Sequence, residues 1–221
     1  MNRRTDTRAP AKPAAAGPAR SPRPGAPRTA AHEVRIIGGQ WKRSKLGVAD
    51  KPGLRPTPDR VRETLFNWLT SAGGDDWSRW QVIDAFAGTG ALGFEAASRG
   101  AGRVTLVEQD AALVAMLHAS RARLQAESVT VVRGDGRAVL ERWPAASAQL
   151  ILLDPPFDAD WYEAALRAAR QALAPGGWLY VEAPQAWSDE ALAPLDLTLF
   201  RHLKAGAVHA HLLQRLAPGA G

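Results

Sequence analysis

From Trp80 onward the sequence repeats one rhythm, a short apolar run, a turn and a helix-length segment, and this constrains the fold more than any other feature. WQVIDAF leads into TGALGFEAASRG, RVTLVE into DAALVAMLHASRARL, SVTVVRGD into GRAVLERW, and AQLILLD into DADWYEAALRAARQALAPGG, after which WLYVEAP follows. Five apolar strands alternating with helices, two of them closed by Gly100 and Gly176, predict an α/β fold with a mostly parallel sheet covered on both faces. The end breaks the rhythm. LDLTLFRHL and AVHAHLLQRL are joined only by Lys204-Ala205-Gly206, too short a link for parallel neighbours, so a C-terminal antiparallel hairpin is expected.

Upstream of this body the composition changes twice. Residues 1–31, rich in Pro, Ala, Gly and Arg, read as a disordered basic tail. Residues 32–74 predict a small hairpin around Gly38-Gly39 followed by a helix. That helix begins near Thr57-Pro58, with Val61, Leu65, Trp68 and Leu69 on one face and Arg60 and Arg62 on the other. Residues 75–217 form the α/β domain. The formal charge is +6 over 1–31, +5 over 32–62 and −5 over 63–221, so the basic N-terminal part is suited to a polyanion. There is no cysteine, which excludes disulfides and thiolate chemistry and fits a reducing, cytoplasmic setting. No apolar run is long enough to cross a bilayer, so no membrane partner is expected. The five scattered histidines suggest no metal site.

Ligands of open α/β sheets bind at the carboxyl ends of the strands. Four acids stand there in succession: Asp84, Glu108, Asp135 and Asp154. After Asp84, the loop Phe86-Ala87-Gly88-Thr89-Gly90 and then Gly93 matches the glycine spacing of a dinucleotide-binding turn. The glycines alone leave a nicotinamide or flavin enzyme open. Asp84 argues against it, because a carboxylate four residues ahead of the turn suits a cationic amine and repels a pyrophosphate. Asp154-Pro155-Pro156-Phe157 supplies the second distinction. A carboxylate and a backbone carbonyl can accept both hydrogens of a base amine and free its lone pair, the prolines fix the loop, and Phe157 offers a stacking face.

DAFAGTGALGFEAASRGA, VEQD, GD and LLDPPF resemble a class I S-adenosylmethionine-dependent methyltransferase. With GGQWKRSKL, GLRPTPDRVRETLFNWL and KAGAVHAHLL, the chain over about residues 33–215 resembles the bacterial 16S ribosomal RNA guanine-N2 methyltransferases of the RsmD type. The resemblance implies a Rossmann-like, mostly parallel seven-stranded sheet. It implies S-adenosylmethionine as cofactor and ribosomal RNA as partner, within a small ribosomal subunit or an assembly intermediate, with the enzyme a monomer. The implied cofactor-binding residues are Asp84, Phe86, Ala87, Gly88, Thr89, Gly90, Glu108, Gln109, Asp135 and Gly136. Of these, Asp84 and the Gly88–Gly90 turn take the methionine part, Glu108 the ribose hydroxyls and Asp135 the adenine amine. Asp110 and Asp158 compete for that last role. Asp154, Pro155, Pro156 and Phe157 take the target guanine. Trp41, Lys42, Arg43, Lys45, Arg55, Arg60 and Arg62 touch RNA, and Thr57 lies near the cofactor or an RNA phosphate. The alternatives are an adenine-N6 DNA methyltransferase and a non-enzymatic RNA-binding ribosome-assembly module.

Overall fold

The computed structural model describes residues 33–49, 57–155 and 159–217. All belong to one compact unit spanning residues 31–221. The chain opens with two-residue antiparallel strands, β1 (Val34–Arg35) and β2 (Lys45–Leu46). Helix α1 (Asp59–Gly73) follows. Then come β3 (Gln81–Asp84), α2 (Ala91–Ser98), β4 (Arg103–Glu108), α3 (Ala111–Leu124), β5 (Val129–Arg133), α4 (Gly136–Glu141) and β6 (Ala148–Leu153). Helix α5 (Ala159–Ala172), β7 (Leu173–Ala183), the short α6 (Asp189–Leu192), β8 (Leu197–Ala205) and β9 (Val208–Arg215) complete the order.

The seven longer strands form one sheet in the order β5-β4-β3-β6-β7-β9-β8. β3 to β7 pair in parallel, and β9 lies antiparallel between β7 and β8, as the short Lys204–Gly206 link requires. Strands covered on both faces need apolar side chains on both, which is why β3, β6 and the latter half of β7 are nearly unbroken runs of buried residues. One core contains Val61, Leu65, Phe66 and Leu69 of α1, Phe94 of α2 and Leu117 of α3, together with Leu150, Leu152 and Tyr180 from the sheet. Val34, Ile36 and Leu46 join it, so the N-terminal hairpin and α1 share the core of the sheet's first face. The opposite face packs Leu140 of α4, Leu166 and Ala169 of α5 and Leu192 of α6 against Ile83, Ile151 and Leu179.

One local expectation differs. Gly176 does not close a helix: α5 ends at Ala172 and Gly176 lies within β7. There the pairing with β6 skips from Leu173 to Trp178, so Ala174-Pro175-Gly176-Gly177 forms an irregularity that its left-handed glycine (φ 74°) accommodates. Helix α1 begins where expected, at Asp59 directly after Thr57-Pro58, with Pro58 at its cap.

The sheet order reverses direction at β3, with β4 on one side and β6 on the other. A crevice is expected at the carboxyl ends of strands on either side of such a point, and the residues leaving β3, β4 and β6 converge there.

Candidate active site

β3 ends on Asp84, which is buried. Its Oδ2 accepts a hydrogen bond from the Gly93 N–H in the first turn of α2 at 2.9 Å. Burial, with the nearby Glu108 adding, pushes this carboxyl up to about 7, against the opposing bond from Gly93. The chain then turns through Gly88 (φ 51°) and Gly90 (φ 78°), both in the left-handed region. A Cβ on Gly90 would lie 2.6 Å from Phe94 and 2.7 Å from Leu117, so only glycine fits. Ala87 N–H donates to Val107 O at 2.9 Å, laying the loop over β4. Glu108, half-buried at the end of β4, accepts from Gly88 N–H at 3.0 Å and from Asp110 N–H at 2.8 Å.

Of the other expected cofactor contacts, Ala87 and Thr89 are buried, Phe86 is half-buried and Gln109 is exposed. Asp135 is exposed and caps α4 by accepting from Ala138 N–H at 2.9 Å. Gly136 is buried, and a Cβ there would stand 2.0 Å from Ala85 O, so α4 begins in direct contact with the strand leading into the glycine loop. Asp110 caps α3, accepting from Ala112 and Leu113 N–H. Asp158 lies outside the described residues.

β6 carries the next acid into the same place. Ala85 N–H donates to Leu152 O at 3.1 Å, so Asp154, two residues further along, leaves the sheet beside the entry to the glycine loop. Asp154 is half-buried and Pro155 buried, whereas Pro156 and Phe157 lie outside the described residues. Burial, then the carboxylates of Glu182 and Asp84, raise the Asp154 carboxyl well above the usual range, while a hydrogen bond from Thr57 opposes the rise.

Glu182 was not singled out from the sequence. It is buried near the end of β7, its Oε1 accepting from Thr57 Oγ1 and from Tyr180 OH, both at 2.8 Å. Tyr162 OH donates to the Glu182 carbonyl at 3.1 Å. The signal was present, because Glu182 closes the apolar run Trp178–Val181 as Asp84 closes Val82-Ile83. Asp84 stands opposite Leu152, and Leu153 opposite Val181, so Asp84, Asp154 and Glu182 fall on one face of three adjacent strands. Asp84, with its raised pKa, and Glu108 make the β3–β4 side of the site acidic and suited to a cation, while Asp154 and Glu182 stand together on the β6–β7 side.

The family described as conserved hypothetical protein 95 matches residues 34–214. The Escherichia coli (strain K12) protein named ribosomal RNA small subunit methyltransferase D is 40% identical over 193 residues, spanning 85% of this chain and 92% of that protein. The Haemophilus influenzae protein of the same name is 36% identical over 187 residues, spanning 82% of this chain and 94% of that protein. The chain belongs to this family, the RsmD-type methyltransferases. The solved yhhF structure from Escherichia coli overlays with a TM-score of 0.70 at 38% identity, covering 84% of this chain and 99% of that one.

This methyltransferase holds its N-terminal loop against α2 by a specific clamp. Glu95, fully buried, accepts from Ile37 N–H at 2.7 Å and Gly38 N–H at 2.8 Å, and from Arg99 Nε at 2.8 Å. Trp41 N–H donates to Ser98 Oγ at 3.0 Å, and Gln40 N–H to Ser98 O at 2.8 Å. The loop is thereby fixed to the C-terminal half of the helix whose first turn bonds Asp84. Lys42, Arg43, Lys45 and Arg60 are exposed, Lys45 paired with Glu33 at 2.6 Å, and Trp41 is half-buried against the core. Arg55 lies outside the described residues.

Arg62 corrects the sequence reading: it is not on an exposed RNA-facing surface. It is fully buried, donating to Thr57 O, Arg35 O and Asp59, with Glu95 at 3.8 Å. It points inward because three carbonyl and carboxylate partners, and a buried counter-charge on α2, compensate a guanidinium that would otherwise be costly to desolvate.

His202, His209 and His211 stack on β8 and β9, with Trp187 against His211 at 5.1 Å. Burial, then His202 nearby, lowers His211 to about 4, so it is a neutral packing residue at physiological pH. Among the described residues no group of three or more His, Cys, Asp or Glu could hold a metal ion, and no helix is long and apolar enough to cross a membrane.

Proposed function

We propose that this chain transfers a methyl group from S-adenosylmethionine to the exocyclic N2 amine of a guanine in small-subunit ribosomal RNA. The observation that carries the cofactor assignment is the bond from Gly93 N–H to Asp84. A nicotinamide or flavin dinucleotide would put its pyrophosphate on free N–H groups at this helix start, but the protein's own carboxylate already occupies one. What remains is a carboxylate-lined site that favours a cationic amine, which suits the methionine end of the proposed cofactor. Glu108, at the end of the adjacent strand, suits a ribose diol, and the turn at Gly88 and Gly90 lets the backbone approach a ligand closely. When bound, S-adenosylmethionine supplies a methyl group on a sulfonium, already activated for attack by an amine.

The chain's own residues would hold and orient the base. Asp154 accepts a hydrogen from the N2 amine, pulling its nitrogen from the ring plane, and Pro155 stiffens the backbone that follows. Proximity between two rigidly placed strand ends supplies much of the rate. Asp154 stands where it can take the proton that the amine sheds on methylation. The exposed Lys42, Arg43, Lys45 and Arg60 supply phosphate contacts, and Trp41 a stacking edge. The names of the relatives support ribosomal RNA as the substrate. Replacing Asp154 with Ala should lower methyl transfer at least about 100-fold while leaving cofactor affinity within a few-fold. Equal loss of both would refute that division of roles.

A further inference from the structure

Glu182 has no part in the chemistry described so far, yet it is held firmly in place. Only 5% exposed, it takes two hydroxyl donors on Oε1, from Thr57 and Tyr180, while Tyr162 fixes its backbone carbonyl. Oε2 has no hydrogen-bond partner among the described residues and is not among the sealed, unpaired side-chain atoms of the interior. The register that pairs Leu153 with Val181 brings residue 182 opposite Asp154, one strand spacing of about 4.8 Å away. The Thr57 hydroxyl that donates to Glu182 at 2.8 Å also opposes the rise of the Asp154 carboxyl.

We propose that Glu182 is a specificity-determining residue, accepting the N1–H of the target guanine through Oε2 while Asp154 accepts from the neighbouring N2 amine. This rests on the guanine-N2 reading and adds the residue that selects the base. Along its Watson–Crick edge guanine presents N1–H and N2–H₂, adjacent donors that two adjacent carboxylates can accept. Adenine presents an N1 lone pair beside its amine, and a carboxylate there repels it. 2,6-Diaminopurine makes a sharp probe, because it keeps the 2-amine and replaces the N1–H with a lone pair. A site built to accept a hydrogen bond rejects an analogue lacking the donor far more strongly than one that reads shape alone. The Tyr180 and Thr57 bonds serve the same end by fixing which oxygen faces the base.

The test uses the full chain and small-subunit RNA carrying either guanine or 2,6-diaminopurine at the position that the protein methylates. For the unaltered protein, kcat/KM on guanine should exceed that on 2,6-diaminopurine by about 100-fold or more. In Glu182→Gln the amide can donate to the N1 lone pair, and the ratio should contract to below about 10-fold, with S-adenosylmethionine affinity unchanged within about twofold. If the unaltered protein uses both bases equally well, the proposal is overturned without recourse to any variant. It is equally overturned if Glu182→Gln slows both substrates in the same proportion, the result of a merely structural role. Absence of N2-methylguanine from the guanine RNA is a separate result, which refutes the functional reading itself.

Discussion

Lowering the pH from 8 to 6 should weaken S-adenosylmethionine binding about tenfold, and the effect should trace to Asp84. Its carboxyl is buried and pushed up to about 7, chiefly by burial. A group with that pKa is about nine-tenths ionised at pH 8 and about one-tenth at pH 6. If the cofactor's amine requires the ionised form, the association constant follows that fraction, a change of about 1.4 kcal/mol. The stability of the free protein should move the other way. Because the folded pKa lies above the unfolded 3.8, the folded chain binds more protons between about pH 4 and 7, so raising the pH through that window costs stability. Calorimetric titration in two buffers of different ionisation enthalpy would measure both the affinity and the protons released on binding. Asp84→Asn should flatten the profile. A pH-independent affinity, or a slope that survives Asp84→Asn, would show that the carboxylate does not hold the amine.

Other consequences concern the clamp on α2. Gly39→Ala should undock the loop, since φ is 74° and the new Cβ would lie 1.8 Å from Ser98 O. RNA affinity should fall about tenfold with cofactor affinity unchanged, about 1.4 kcal/mol of lost binding; an unaltered RNA affinity would contradict this. Glu95→Ala leaves Arg62 buried without its carboxylate on α2 and removes the acceptor for Ile37 and Gly38, so urea unfolding should register a loss of about 3–5 kcal/mol. A loss under about 1 kcal/mol would mean that water replaces the network. Substituting Lys42 and Arg43 together with Ala should reduce the slope of log affinity against log salt by up to about 2, and an unchanged slope would remove them from the phosphate interface.

The sheet was legible because strands buried on both faces must be apolar throughout, and because the acids Asp84, Glu108 and Asp154 interrupt those runs where the strands stop. The antiparallel end was legible from the three-residue link at Lys204–Gly206. The difficulties share one cause. Arg62 shares the i, i+3, i+4, i+7 face of Leu65, Phe66 and Leu69, but a guanidinium reads as surface until Glu95, thirty-three residues later, supplies the counter-charge that makes it tolerable inside. Gly176 follows a helical segment and looks like its stop, yet β7 already pairs at Leu173, and that pairing depends on β6. Glu182 obeyed the same strand-end rule as the other acids. Its significance emerged only when Thr57, 125 residues earlier, met it across the site.

In the proposed reaction the carboxylates ending adjacent strands bring a methyl donor and a guanine amine together. Mass analysis of nucleosides from small-subunit ribosomal RNA, incubated with this protein and isotopically labelled S-adenosylmethionine, tests it most directly. The expected product is labelled N2-methylguanosine at a single position, with no label in DNA. Labelled N6-methyladenine as the main product, or RNA binding with no transfer at all, would contradict it.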